Sequence, residues 1–151
     1  MENTKKIQDL LMNSIFEVFE KMFFVFLEPL DEEIKYEMIT SIKFSGPLNG
    51  EIYIYFTRGV TETMVQNMLG VEKSGITDIL MEDCAKEAVN MVSGNFLQKY
   101  DSSRAFDLSI PAFEKKAGMF KPKDASSKSV WNLCFESEES LLGVKMNIFN
   151  R

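Results

Sequence analysis

Between residues 4 and 27, Ile7, Leu11, Ile15, Val18, Met22 and Phe26 recur at spacings of three and four. One apolar stripe on a 3.6-residue period predicts an amphipathic helix over residues 4–27, widened by Leu10, Phe19 and Phe23. Glu28-Pro29 closes it, because the residue before a proline is pushed out of helical backbone space. The period then shortens to two. Residues 37–45 and 51–57 read as strands; in the second, Ile52, Ile54 and Phe56 alternate with Tyr53 and Tyr55. The intervening Gly46-Pro47-Leu48-Asn49-Gly50 is turn chemistry, so the pair is a hairpin. A short helix is predicted over residues 61–69, with Thr61 as its N-cap and Gly70 as its stop. A longer one covers residues 77–100. Residues 105–113 read as a strand. Residues 114–128 have no periodicity and hold Gly118, Pro122 and five lysines, which is a solvated loop. Strands over 130–135 and 142–149 finish the chain, with a turn at Glu138-Glu139-Ser140.

Hairpins separated by helices argue α+β: helices packed on one face of a largely antiparallel sheet. At 151 residues with no internal linker, the chain is expected to be a single domain over 1–151. One helical layer cannot cover both sheet faces. The Tyr53 and Tyr55 face, and bulky apolar residues at both parities of 130–135, therefore predict a second covering surface, a partner subunit. The 142–149 strand is expected at an edge, pairing with its two-fold mate.

Composition removes several chemistries. There is no histidine, which excludes Ser-His-Asp and Cys-His nucleophilic centres and histidine-ligated zinc or haem. Cys84 and Cys134 cannot complete a structural zinc site and read as reduced small hydrophobes. Lys and Arg number 17 against 23 Asp and Glu, a net charge of −6, so the chain is a poor binder of nucleic acid. The run Met22–Leu27 is far short of the roughly 20 apolar residues of a membrane span. A cytoplasmic protein is expected. No GxxxxGK loop and no GxGxxG fingerprint is present.

The long helix carries the remaining information. Projected at about 100° per residue, Met81, Ala85, Ala88, Val89, Val92 and Phe96 share one side. Asp83, Glu87, Asn90 and Gly94 fall opposite, within roughly 40° of one another. Any amphipathic helix offers a polar face, so solvation alone accounts for such a stripe. Its chemistry is nonetheless definite. Asn90 cannot act as a base, but its carbonyl and amide can orient a water. An ionised Glu87 can pair with a partner's lysine. Neither is an activated nucleophile, which suits catalysis in trans on a reactive group held by another protein.

Asp83, Glu87, Asn90 and Pro111 resemble the signature of the CheC/CheX/FliY chemotaxis phosphatases: Asp or Ser, three residues, Glu, two residues, Asn, then about 22 residues and Pro. Here 20 residues intervene before Pro111, read as lying within the next strand, and Gly94-Asn95 follows the motif by one turn. The opening Phe16–Met22 and the order of elements are also similar to CheX. The first helix offers only Asn13, Glu17 and Glu20, with Glu where the motif requires Asn, so one motif per chain resembles CheX rather than the two-site CheC. The resemblance implies hydrolysis of the aspartyl-phosphate of a CheY-type response regulator. Glu87 would pair with the regulator's lysine and Asn90 would align the attacking water. Asp83, Glu87 and Gly94 would face the partner. Mg²⁺ would sit on the regulator, with no cofactor or metal on this chain. The assembly would be a homodimer. Two alternatives are a non-catalytic CheC-like adaptor for a regulator or flagellar-switch component, and an unrelated α+β ligand-binding module. The intact Glu87 and Asn90 pair favours the enzyme.

Overall fold

The computed structural model describes residues 4–123, 129–138 and 140–150, without the side chain of Asn150. Helix α1 spans Thr4–Phe23, four residues shorter than its periodicity predicts. Phe24 turns left-handed at φ 53, and the Val25 amide donates to the Phe19 carbonyl at 2.9 Å. The terminal carbonyls of Phe23 and Phe24 accept from the Asn67 side-chain amide at 3.0 and 3.3 Å. A group 44 residues from Phe23 thus satisfies the helix end, which no local pattern records. Phe26, assigned to the stripe from its spacing, is instead 62% exposed.

Strands β1 (Glu28–Leu30) and β2 (Ile34–Tyr36) follow, then the expected hairpin β3 (Met38–Ser45) and β4 (Asn49–Phe56). Helix α2 runs Arg58–Leu69. Its cap is Thr57, not Thr61: the Thr57 hydroxyl accepts from the Val60 amide, while Thr61 is a buried helical residue donating back to the Thr57 carbonyl. Gly70 ends the helix at φ 66, a left-handed position that favours glycine. Helix α3 (Asp78–Tyr100) begins at the cap Thr77, whose hydroxyl accepts from the Leu80 amide at 3.2 Å.

The strand expected over 105–113 is split into β5 (Asp107–Leu108) and β6 (Ala112–Glu114), both paired with β3. Pro111 lies between them rather than within a strand. It has no amide to donate, and the ladder there is carried by Ser109, which donates its amide to the Lys43 carbonyl and accepts the Lys43 amide on its hydroxyl. Within the loop expected over 114–128, residues Gly118–Phe120 form β7; residues 124–128 lie outside the described residues. Strands β8 (Val130–Ser137) and β9 (Ser140–Asn150) close the chain. Ser140 already pairs with Ser137, and Glu138 turns at φ 53; Glu139 of the expected turn lies outside the described residues.

The main sheet is antiparallel, in the order β1-β8-β9-β4-β3, with β5 and β6 sharing the far side of β3. All three helices pack on one face. Ile7, Leu11, Ile15 and Phe19 of α1 and Met81, Ala85, Val89 and Phe96 of α3 share a core with Ile42, Ile52, Ile54, Val144, Met146 and Trp131. The α+β arrangement is therefore as the patterning predicts.

Two expectations about the second face fail. Strand β9 is not an edge, because β8 and β4 flank it along its length. Tyr55 is also covered from within the chain. β2 and β7 form a two-stranded sheet over it, with the Phe120 ring stacked 4.3 Å away and Tyr36 at 4.9 Å. Ile34, Phe120 and Cys134 centre this smaller core. Gly143 permits its close packing, since a Cβ there would lie 2.5 Å from Phe120. The two parities of β8 are both apolar because Trp131 and Phe135 serve the large core and Cys134 the small one.

Candidate functional site

Helix α3 is amphipathic for a clear reason: its buried residues Met81, Ala85, Ala88, Val89, Val92 and Phe96 fill the space above the sheet, which turns the opposite stripe to solvent. Asp83, Glu87 and Asn90 are all exposed and Gly94 is half-buried. From Asp83 to Asn90 the stripe covers about 10 Å of a helix rising 1.5 Å per residue. Among the described residues, Asp83, Glu87 and Asn90 have no hydrogen-bond or ion-pair partner. Their neighbours Glu82 and Lys86 do pair, at 2.7 Å. The structure thus brings Asp83, Glu87, Asn90 and Gly94 onto one open surface. Pro111 is outside that helix, in the segment between β5 and β6.

The helix is held from behind by contacts that sequence reasoning did not identify. The Asn95 amide donates to Glu17 of α1 at 2.6 Å, and Lys99 and Lys21 lie 3.7 and 3.5 Å from the same carboxylate. The Asn95 hydrogen bond, chiefly, lowers the Glu17 pKa below its ordinary value, with the two lysines acting the same way. Glu17 is therefore committed to tying α1 to α3. The only signal in the sequence was the polar residue itself on an apolar helix; its partner lies 78 positions away.

Cys84 stands between Asp83 and Glu87 in the chain but points inward, 4.0 Å from the Met68 sulfur. Burial raises its thiol pKa, and the charges of Asp83 and Glu87 raise it further. It is a poor nucleophile at neutral pH.

Clefts of about 560 Å³ beside Phe24, Phe26 and Asn67 and about 610 Å³ beside Glu62, Gln66 and Lys73 contain no α3 residue. A third, about 290 Å³, reaches α3 at Asp78, Met81 and Glu82, on the flank away from the stripe. A stripe that lines none of these clefts is suited to a protein surface rather than to enclosing a small molecule. No group of three or more Cys, Asp or Glu side chains is placed to hold a metal ion among the described residues. No described helix is long and apolar enough to cross a membrane.

The family model described as chemotaxis phosphatase CheX matches residues 38–135. Solved structures share the fold. The chemotaxis protein CheX from Vibrio vulnificus is 21% identical, with a TM-score of 0.78 over 98% of this chain and 99% of that one. CheX from Desulfovibrio desulfuricans is 20% identical, with a TM-score of 0.74 over 95% and 99%. The CheX of a CheX–CheY–BeF3–Mg complex from Borrelia burgdorferi is 17% identical, with a TM-score of 0.69 over 95% and 97%. No curated protein sequence matches significantly. With the matched segment holding β3, β4, α2, all of α3 and most of β8, the chain belongs to the CheX family of chemotaxis phosphatases.

Proposed function

We propose that this chain hydrolyses the aspartyl-phosphate of a CheY-type response regulator, and that α3 is the element that enters the regulator's site. The observation carrying this reading is the pair Glu87 and Asn90, one turn apart on the exposed face of a helix anchored by its core stripe and by Glu17. Glu87 pairs with the lysine beside the phosphoryl group and sets the two proteins in register. Asn90 accepts a hydrogen from a water through its carbonyl and places that water in line with phosphorus. The metal that neutralises the phosphoryl charge belongs to the regulator. Catalysis of this kind is positioning, which needs no activated nucleophile on this chain. An exposed stripe set apart from the clefts is the shape such insertion requires.

The same reading places the protein in the cytoplasm, where response regulators work, as a single domain and a two-fold homodimer that leaves α3 free. Exposed Phe149 and Leu108, which share a cleft of about 420 Å³ at the end of β3 and β4, are available to such an interface. The deciding experiment follows decay of a phosphorylated CheY-type regulator with this protein present and absent. Acceleration that disappears in Asn90→Ala and in Glu87→Ala supports the reading. An unchanged decay rate, or full activity in Asn90→Ala, rejects it.

A further inference from the structure

At its N-terminal side the polar stripe of α3 ends on an apolar side chain. One turn before Asp83, on the same face, stands Ile79, 72% exposed. The last turn of α2 presents Met68 and Leu69, 39% and 47% exposed, with Met68 within 4.0 Å of Cys84 on another side of α3. Ile79 contradicts its local setting. It is the second helical residue after the cap Thr77, where the free amides and the dipole favour an acidic side chain. A β-branched residue also has low helix propensity. Nothing in the fold rewards it, since it adds no burial to the core. A local rule broken on the face that carries the candidate chemistry points to an external contact.

Resting on the reading above, we propose that Ile79 is a docking anchor for the same regulator, and that it sets the direction in which the regulator lies along α3. The regulator's phosphoryl group sits over Glu87 and Asn90. An apolar patch of the regulator covers Ile79, about 12 Å away along the helix axis. Charge selects this occupant over a second copy of the chain. Asp78 and Glu82 are ion-paired with Lys115 and Lys86, but Asp83 and Glu87 are uncompensated among the described residues. A two-fold mate stacked on Ile79 would oppose these carboxylates with their own copies. A regulator brings a lysine to Glu87 and an apolar surface to Ile79.

The test compares wild type with Ile79→Ser, Ile79→Leu and Asn90→Ala. It uses a phosphorylated CheY-type regulator for kinetics and the same regulator loaded with beryllofluoride for binding. Ile79→Ser should raise KM and Kd by about tenfold, the scale of one apolar anchor at an interface, with kcat at saturation within about twofold of wild type. Ile79→Leu should restore affinity. All should melt with the wild type. Asn90→Ala should show the reverse split: kcat lost, Kd retained. If Ile79→Ser leaves KM and Kd unchanged while Asn90→Ala behaves as stated, the anchor is wrong and the catalytic reading stands. If Asn90→Ala keeps full kcat, the catalytic reading fails first. If Ile79→Ser turns a dimer into a monomer by light scattering, the patch belongs to a second copy and the proposal is overturned.

Discussion

Gly94 sits inside a 23-residue helix, where its backbone freedom costs stability, and a Cβ built there meets nothing within 4 Å. Neither packing nor backbone conformation requires a glycine at this position. The remaining physical reason is close approach of another surface to α3. Gly94→Ala should therefore stabilise the protein by about 0.5–1 kcal/mol, read as a higher melting temperature, while weakening binding of a beryllofluoride-loaded regulator. Unchanged binding would remove Gly94 from the partner surface. Glu87→Ala and Asn90→Ala carry the complementary expectation. Both side chains are exposed and unpartnered among the described residues, so melting should stay within about 0.5 kcal/mol of wild type while dephosphorylation is lost. The types and spacing of these residues were legible in the sequence, because the period of a helix places Asp83, Glu87, Asn90 and Gly94 together without tertiary information. That Asp83, Glu87 and Asn90 lack partners among the described residues was not legible, since a partner can come from any element.

At the scale of elements, α3 is fixed in two ways, and each has a separable signature. Its apolar stripe is wholly buried, with Val92 and Phe96 at 0% exposure. Val92→Asp places an unpaired charge in that core, and loss of several kcal/mol should leave the chain unfolded by circular dichroism. A folded Val92→Asp protein would mean the helix faces are reversed. The second fixing is the Glu17 tie. Its carboxyl pKa is lowered in the folded state, so its stabilising contribution is present above the ordinary value of 4.5 and is lost as pH falls through the folded value. The Glu17→Gln variant should therefore be less stable than wild type at neutral pH, and the two should converge as pH falls below 4.5 through the lowered folded value. Urea titrations at several pH values measure this; a constant difference down to pH 3 would refute it. Helix α1 illustrates why such ties escape a sequence reading. Its start and stripe follow from periodicity, but its end is set by the left-handed Phe24 and by the Asn67 amide.

For the whole molecule, calorimetry on the isolated chain should show no tight Mg²⁺ or Zn²⁺ binding, because the chemistry proposed here draws its metal from the partner; a stoichiometric micromolar site would overturn that. Light scattering at micromolar concentration should give twice the mass of the chain, and a monomer would reject the dimer. Alkaline stability reports on the second core. Burial pushes the Tyr55 pKa up to about 12, so the stabilisation it provides is present below pH 10 and lost as pH rises through 12. Tyr55→Phe should flatten that loss, followed by melting temperature from pH 9 upward. By itself the sequence determined what depends on neighbours along the chain: the strand and helix periods, the hairpin of β3 and β4, the α+β class, the exclusion of histidine chemistry and the motif on α3. The fold decided what depends on distant partners. A strand's period of two says which residues share a face, but not what lies beside the strand, so β9 read as an edge and proved central. Strands of three residues such as β2 and β7 have too few positions to show a period, so the cover over Tyr55 was invisible until the chain closed on itself. Hydrogen bonding and burial between remote segments are long-range, and only the assembled core selects them.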